Sequence, residues 1–385
     1  MVYNFFMVKN RFLSFFFIFL VYAIAVFGGI FCYDFLGHKT GLSARLLLLL
    51  ADIFATILVF IFSLIFRNAS VYDPYWSVQP PVILALTIIK CGIKYRSGAN
   101  TGYEGLSGEN GLLLPGESDG LSLFIWLIFA AVLFWGIRLT ANWAYTFTNL
   151  EHQDWRYSML KEKSKKAYPL VNFFGIHLFP TLVVYLCILP AFSTIINAFS
   201  GGNLTEFSST ARAEAALAGQ ITASQTISAS ASDGGLSVIS PAELAPQNGL
   251  SGSQIFNVLC GLFILLAFAA PILQGIADIQ MHRFRNKQKA EKSCNSDSRD
   301  AGKNFIRSGL WKKSRHPNYA CEILMWWSVA FACFFAEGAK FSNLWYFCGA
   351  LVNNLMFVFI SIPMADKRQS RKPGFEEYKK ETRML

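Results

Sequence analysis

Eight uninterrupted apolar runs constrain this chain more than any other feature of its sequence. The runs lie roughly at 12–33, 45–66, 78–93, 121–147, 173–199, 254–280, 319–336 and 341–363. A helix needs about 20 apolar residues to cross the hydrocarbon core of a bilayer, although the third and seventh runs are short for a full crossing. Only helices and closed barrels satisfy their backbone hydrogen bonds inside lipid. The pattern therefore predicts an all-α, polytopic membrane bundle of about 7–8 transmembrane helices.

The charges of the loops predict how this bundle lies in the membrane. Residues 281–320 hold eleven Lys and Arg against three acids, whereas residues 200–253 hold one cation against four acids. Cytosolic loops carry the excess of Lys and Arg, so we expect the first segment inside, the second outside, and both termini in the cytosol. The same bias explains the net charge of +10, and no nucleic-acid partner is expected. The membrane would be the endoplasmic reticulum in a eukaryote or the inner membrane in a bacterium.

Two polar stretches interrupt the predicted bundle. Residues 94–120 are Gly-rich, and residues 200–253 are rich in Ser, Ala, Gly and Thr without a sustained apolar period. We expect both to be flexible insertions. The chain then divides into an N-terminal span with its lead-in (1–44) and a membrane domain (45–385). The first run is too long for a signal-peptide core and is expected to be retained as a span.

Several familiar kinds of site are absent from the sequence. The eight cysteines include no CxxC pair, so neither a disulfide framework nor a metal site is predicted. No GxGxxG motif stands at a strand–helix junction, and a nucleotide would therefore not be held by a Rossmann domain. Any cofactor must bind to the helices and loops of the bundle itself.

One stretch near the C-terminal end has the residue types of a phosphate site. Pro317 suits the first turn of a helix, where free backbone N–H groups and the positive end of the helix dipole attract anions. Arg315 and His316 directly precede it, and we expect them to bind phosphate. Asn318 and Glu322 are four residues apart and share one helix face. That spacing points Glu322 back toward the anion site.

Two other helix faces carry ionisable groups near membrane depth. Arg138 and Asn142 are four residues apart at the end of the fourth run, and Asp278, His282 and Arg285 follow one face of the sixth. Charged groups inside a span usually face the interior of the bundle. The plainer interpretations are an arginine that snorkels to the interface and an ordinary salt bridge. We favour a ligand site, in which arginines bind phosphate and Asp278 holds a ribose hydroxyl.

A short polar turn precedes the third run and contains Asp73, Pro74 and Tyr75. The simple interpretation is a turn that caps a helix, because Asp-Pro readily starts helices. The functional interpretation is a proton donor at the end of a lipid pocket, since a phenol donates a proton at neutral pH without prior ionisation. Tyr75 or Asp73 would be that donor, and together with Glu322 they are the predicted catalytic residues.

Seven motifs follow one another along the chain from about residue 45, apart from the two insertions. They are Asp73-Pro-Tyr-Trp-Ser, Trp135-Gly-Ile-Arg-Leu-Thr-x-Asn-Trp, Asp154-Trp-Arg-Tyr, Gly175-Ile-His-Leu-Phe-Pro, Ala277-Asp278-x-Gln280, Gly309-Leu-Trp-x-x-Ser-Arg-His-Pro-Asn-Tyr-x-x-Glu322 and Ser361-Ile-Pro. As a set they resemble the steroid 5-alpha-reductase superfamily, and especially its poorly characterised bacterial and protist branch. Related forms of Arg-His-Pro-x-Tyr also occur in sterol reductases and in isoprenylcysteine carboxyl methyltransferases.

The resemblance implies an integral-membrane reductase that binds NADPH from the cytosolic side. By position, Asn318, Tyr319 and Glu322 match residues of the NADPH pocket of steroid reductases. Asp278 and Arg285 match an Asp and an Arg that contact the cofactor in that family. The N-terminal half has no match to the Glu and Tyr that hold the enone carbonyl there. The resemblance therefore does not imply a steroid as the substrate.

The predicted function is NADPH-dependent reduction of an activated carbon–carbon double bond in a lipid, sterol or isoprenoid-type substrate taken from the membrane. One alternative is an S-adenosylmethionine-dependent methyltransferase acting on a lipid or isoprenoid. That cofactor carries no phosphate, so the surplus of Lys and Arg along 283–315 favours a dinucleotide. Another alternative is a non-catalytic lipid-binding or transport bundle, although transporters often show internal repeats and this sequence shows none.

Overall fold

A computed structural model of the chain describes residues 9–99, 119–200, 252–294 and 305–385. The α-helices are α1 (Arg11–Lys39), α2 (Ala44–Ile65), α3 (Tyr75–Ala99), α4 (Asp119–Thr146), α5 (Trp155–Ser164), α6 (Phe179–Phe199), α7 (Gly252–Cys294), α8 (Pro317–Ala336), α9 (Phe347–Met356), α10 (Ile362–Gln369) and α11 (Phe375–Glu381). The described ranges contain no β-strand. Eight helical segments within them are long and apolar enough to cross a membrane, one for each predicted run. The all-α polytopic class is confirmed.

The third and seventh spans are longer than their apolar runs suggested. The third covers Ala69–Ile93 with 25 residues, and the seventh covers Pro317–Ala336 with 20 residues. Both are therefore long enough to cross, and the short appearance of the third run came from its polar, proline-containing start. Most of the two predicted insertions lies outside the described residues, although α3 continues to Ala99 and α4 begins at Asp119.

Two of the spans contain a π-helical segment shortly before a proline. One π-helix covers Val171–Leu178 and is followed by Pro180, and the other covers Phe357–Ser361 and is followed by Pro363. Proline has no N–H and its ring presses on the carbonyl four residues back, so a wider turn relieves that contact. The first of these segments turns His177 inward, where its side chain is fully buried.

The packed core of the bundle lies between α4, α6, α7 and α8. Trp135, Met325 and Trp326 are almost completely buried there. By contrast, α1 packs mainly along α2, and its outer face carries Phe12 and Phe19, which are 85% and 72% exposed. Exposed aromatic side chains along one face are expected of a helix that borders lipid. Polar groups inside the bundle therefore need partners from neighbouring helices.

The bundle has two ends with different polar contacts. We call the end at which α4 and α7 finish and α3 and α8 begin the mouth, and the opposite end the far end. At the far end, Glu337 joins α6 to the segment before α9. Its carboxylate accepts hydrogen bonds from the hydroxyls of Thr194 (2.8 Å) and Tyr346 (2.7 Å) and from the amide of Asn343 (2.8 Å). These hydrogen bonds hold the far end together, and none of the predicted site residues takes part in them.

Candidate functional site

Two polar rungs join α4 to α7 at the mouth. Arg138 Nη1 and Asp278 Oδ2 are 2.5 Å apart, and one turn closer to the mouth Asn142 Oδ1 and His282 Nε2 are 2.7 Å apart. Both helices run toward the mouth and both pairs are spaced by four residues, so the rungs stay in register. The structure thus brings together the two helix faces that the sequence singled out. Within the described chain, Nε and Nη2 of Arg138 are buried without a partner, so two donors remain for an anion.

Glu322 is the centre of a buried hydrogen-bond network about one turn deeper in the bundle, which we call the hub. Its Oε1 accepts from the indole N–H groups of Trp135 (2.9 Å) and Trp326 (3.0 Å), and its Oε2 accepts from Gln274 Nε2 (2.7 Å). The residue is only 3% exposed. A carboxylate in so dry a place persists only when its oxygens are bonded. In the structure Glu322 therefore ties α4, α7 and α8 together and faces the protein's own donors.

Arg315 and His316 contact the C-terminal tail. Arg315 Nη1 donates to the carbonyl oxygens of Thr382 (2.7 Å) and Lys379 (3.1 Å). His316 Nε2 and Asp366 Oδ1 are 2.8 Å apart. Both side chains are largely buried. The two residues that the sequence predicted as phosphate ligands have protein partners in this structure.

The tail residues 374–383, which we call the strap, cover one side of the mouth. Arg383 forms a parallel backbone bridge with Ser314. Tyr378 donates its hydroxyl proton to the carbonyl of Trp311, and burial raises the pKa of this phenol. The sequence predicted an anion beside Arg315 and His316. The strap occupies the region next to these residues with backbone and aromatic contacts.

Asn318 and Tyr319 lie between the hub and the strap. The ring of Tyr319 stacks on His316 with a centroid distance of 5.2 Å and an interplanar angle of 7°, and it also contacts Phe357. The backbone oxygen of Asn318 accepts from Gln274 Nε2 at 2.9 Å. The first turn of α8 is therefore fixed on both sides, by the hub through Gln274 and by Asp366 of α10 through His316.

Three cationic side chains collect at the mouth. Arg285 and Arg368 form no ion pair within the part of the chain that the structure describes, and Arg368 lies over the ring of Trp155 at 4.2 Å. Burial, followed by the repulsion of Arg368 and Arg285, lowers the pKa of Lys372. Like charges this close repel one another unless an anion lies between them. The cluster of Arg285, Arg368 and Lys372 is therefore suited to a ligand with several negative charges.

Asp73 and Tyr75, the two predicted proton donors, lie in different surroundings. The carboxylate of Asp73 accepts a hydrogen bond from the hydroxyl of Tyr157 and lies 3.6 Å from Arg156 Nη2. These contacts turn it toward α5 at the mouth. Tyr75 is 4% exposed and lines a half-open cavity. Of the two, Tyr75 is the residue with access to a ligand inside the bundle.

This cavity lies between α1, α2, α3 and α6. Its volume is about 130 Å³ and most of its wall is aliphatic, whereas Asp52, Tyr75 and Gln79 contribute polar groups to it. Among the described residues, Asp52 Oδ2 and both amide atoms of Gln79 are buried and have no hydrogen-bond partner. Leaving such atoms unbonded in an apolar wall costs free energy. They are the clearest structural sign of a ligand that brings its own hydrogen-bonding group.

The chain matches a known protein family. A family model described as "Protein of unknown function (DUF1295)" matches residues 112–221 and 237–382. The chain belongs to the DUF1295 family. No curated protein and no solved structure matches it.

The DUF1295 match includes the rungs and the hub, but it does not include the two helices that carry the polar groups of the cavity. The rungs, the hub and the strap apart from Arg383 lie within the matched residues, whereas α2 and α3, which carry the polar groups of the cavity, precede them. The mouth is thus the part of this protein that the family description contains. The cavity wall belongs to the part of the chain before the match.

Sequence reasoning missed two components of this DUF1295 protein's interior. Asp52 interrupts a Leu-rich run, and an acid within a membrane span is by default a candidate functional group. That signal was present in the sequence. Trp135 and Trp326 gave no such signal, because a tryptophan inside an apolar run looks like any other aromatic residue of the core.

Proposed function

We propose that this DUF1295 protein is an integral-membrane reductase that uses NADPH to reduce an activated carbon–carbon double bond in a lipid. The observation that carries the proposal is an apolar cavity that Tyr75 lines and in which Asp52 Oδ2 and the amide of Gln79 are buried without hydrogen-bond partners in the described chain. The resemblance to the steroid 5-alpha-reductase superfamily and the cation-rich mouth support it. A cavity of about 130 Å³ would hold only the reacting end of a sterol, a polyprenyl enone or a fatty enone, because a cavity of about 150 Å³ binds a molecule the size of benzene.

Asp52 and Tyr75 would act on the substrate. No cation pairs with Asp52 in the described residues, and an ionised carboxyl group without a counter-charge is costly in apolar surroundings. We therefore expect Asp52 to be a neutral acid that donates a hydrogen bond to a substrate carbonyl. Tyr75 would donate a second one, and together they would stabilise the enolate that forms during reduction. Gln79 would orient the same polar end of the lipid.

The residues at the mouth fit the phosphates of a dinucleotide. Arg138 offers two buried nitrogen donors without partners in the described chain, and Arg285, Arg368 and Lys372 offer the charge cluster. Asp278 would accept from a ribose hydroxyl. Bound NADPH would supply the hydride.

Residues from α4, α7 and α8 would position the cofactor. Asn142, His282, Asn318 and Tyr319 would shape its pocket. Glu322 would act by fixing the three helices that surround that pocket, since protein donors already occupy both of its oxygens. The mouth would face the cytosol, because its loops carry the surplus of Lys and Arg.

Thermal unfolding in detergent with added ligands tests the cofactor half. At a hundredfold its dissociation constant, NADPH should raise the free energy of unfolding by about 2.7 kcal/mol. NADH should stabilise less at equal concentration, and S-adenosylmethionine should have no effect. Arg285→Gln should weaken the effect of NADPH, whereas Lys163→Gln on the exposed face of α5 should not. Stabilisation by S-adenosylmethionine alone would favour the methyltransferase, and no effect of any nucleotide would favour a non-catalytic lipid-binding bundle.

Oxidation of NADPH in the presence of candidate lipids tests the substrate half. We would compare a steroid enone, a polyprenyl enone and a long-chain 2-enone in mixed micelles. Asp52→Asn should abolish turnover of the accepted lipid while NADPH still stabilises the variant. Turnover that survives this substitution would place the substrate outside the cavity.

A further inference from the structure

The cavity beside Asp52 opens between α1 and α3, and two contacts mark the limits of this opening. At the inner limit, the rings of Tyr22 and Tyr75 meet at a centroid distance of 5.5 Å. At the outer limit, toward the far end, Lys90 forms an ion pair with Asp34. Six apolar residues between these contacts line the cavity, namely Val26, Gly29, Ile30, Val82, Ile83 and Leu86. All six are half-exposed, so the cavity is open to the side along this stretch.

The opposite end of the cavity is closed and polar. Asp52, Tyr75 and Gln79 are buried there, and Asp52 Oδ2 and the amide of Gln79 have no hydrogen-bond partner in the described chain. A ligand that satisfies these atoms must bring a polar group to the closed end. The rest of that ligand then lies along the apolar, open part.

The opening faces the lipid-facing surface of the bundle. Phe27 and Phe31 of α1 and Ile89 of α3 follow the two helices beside it, and each is more than half exposed. Such side chains are suited to contact with lipid tails, which are as apolar as leucine. A hydrocarbon tail that leaves the cavity between α1 and α3 therefore enters the bilayer and does not have to cross water.

The cavity is long for its volume. Tyr22 and Asp34 are twelve residues apart on α1, which corresponds to roughly 18 Å of helix. A volume of about 130 Å³ is close to that of a compact cavity that binds one benzene molecule. Drawn out over the length of the opening, the same volume is a narrow passage. It suits one hydrocarbon chain better than a fused ring system.

We propose that this cavity binds a linear, single-chain lipid with a carbonyl group at one end, and that α1 and α3 form its entrance from the bilayer. The carbonyl lies at Asp52 and Gln79, and the tail passes along Ile30 and Leu86 toward the far end. The inference rests on the proposed function for the reaction, and it narrows the substrate to a linear chain rather than a sterol. Tail and cofactor then extend from the reacting carbons in opposite directions, since the cofactor binds at the mouth.

Photo-crosslinking in nanodiscs without NADPH tests this route. The probes are long-chain methyl enones that carry a diazirine either next to the enone or near the end of the tail, and mass spectrometry maps the crosslinked peptides. The first probe should label the chain around Asp52 and Gln79. The second should label residues 26–34 of α1 and 82–90 of α3. An excess of the plain long-chain enone should compete with both probes, whereas a steroid enone should not.

A pair of matched substitutions on α1 tests the entrance. Ile30→Trp fills the passage, and it should weaken binding of both probes by about tenfold, the cost of adding bulk to occupied space. Ile24→Trp makes the same change at an exposed position outside the cavity wall, and it should leave labelling unchanged. If Ile30→Trp fails to fold, Leu86→Phe on the opposite side of the passage takes its place.

Three results would overturn the proposal. Tail labels confined to other helices would mean that the tail leaves by another route. Equal competition by the steroid enone would mean that the site does not select a linear chain. Undiminished labelling of a folded Ile30→Trp or Leu86→Phe variant would mean that the entrance lies elsewhere. Because NADPH is absent throughout, a protein that passes these tests but never oxidises NADPH contradicts the proposed function alone.

Discussion

Glu322 and Asp52 are both carboxyl groups of the membrane interior, with exposed fractions of 3% and 4%, but their surroundings differ completely. Three N–H donors from three helices surround Glu322. Asp52 lies at a cavity, and its Oδ2 has no partner in the described chain. Each acid also has a buried glutamine near it. Gln274 donates to Glu322, whereas Gln79, which interacts with Asp52, has no amide atom at hydrogen-bond distance from a partner in the described chain.

The difference shows that burial alone does not reveal what an acidic residue does. The number of hydrogen bonds that its oxygens already accept is more informative. Both oxygens of Glu322 accept hydrogen bonds from the protein's own donors and so connect α4, α7 and α8, although Gln274 Oε1 in the hub has no partner in the described chain. The cavity is incomplete, and a ligand with a polar end would complete it. Matched substitutions at the two places test this distinction.

Glu322→Gln should have the largest effect on stability. The amide offers one acceptor oxygen and places an NH₂ group against indole and amide donors, so buried N–H groups lose their partners. We expect the free energy of unfolding to fall by about 3 kcal/mol or more. Unfolding by SDS in mixed micelles would measure it, with exposed Glu162→Gln as the control. A loss of less than about 0.5 kcal/mol would remove Glu322 from the centre of the network.

Gln274→Leu should have the next largest effect. The substitution removes one donor to Glu322 and one to the Asn318 carbonyl, and we expect a loss of about 1–2 kcal/mol. The matched substitution Gln79→Leu removes an amide without partners among the described residues. It should leave stability unchanged or raise it by about 1 kcal/mol at most. Equal losses at both glutamines would contradict the distinction between a complete and an incomplete site.

Asp52→Asn should scarcely change stability, because no hydrogen bond in the described structure is lost. The expected change in the free energy of unfolding is within about 0.5 kcal/mol. The same variant should lose turnover of the lipid substrate. Asp52→Asn should therefore affect turnover much more than stability, whereas Glu322→Gln should affect stability most. A destabilisation of about 2 kcal/mol or more would show that Asp52 belongs to a structural network after all.

The smallest effect is a pH dependence at the mouth. The pKa of Lys372 is lowered by burial and then by Arg368 and Arg285, so the folded protein releases this proton before the unfolded chain does. Stability of the free protein should therefore rise with pH between the folded and unfolded pKa values of Lys372. Affinity for NADPH should fall across the same range, since phosphate favours the charged amine. Titrations of stability and of NADPH binding would check this, and Lys372→Met should remove both trends.

The sequence predicted the fold because the signals for it are local. Eight apolar runs gave eight spans, and four-residue spacing predicted that Arg138 shares a face with Asn142 and Asp278 with His282. Helix ends were less accurate: α7 continues to Cys294, because its charged final turns look like a loop when only hydropathy is considered.

The candidate site was only partly predictable, because its contacts join residues that are far apart in sequence. Trp135 and Glu322 are 187 residues apart, and no local pattern shows that one bonds the other. For the same reason the sequence presented Arg315 as an open anion ligand, although distant carbonyl groups accept hydrogen bonds from its Nη1. The lack of a partner for Asp52 became visible only in the folded structure.

The strap has a consequence for the order in which the protein is made. The carbonyl groups that Arg315 binds lie 64 and 67 residues further along the chain. The ribosome releases them only after the seventh and eighth spans have been synthesised, and segments fold as they emerge. The mouth must therefore remain unassembled while the membrane helices are inserted. Docking of the strap becomes the last step of biogenesis, and the nascent protein completes the mouth only after its lipid-facing part is already in the bilayer.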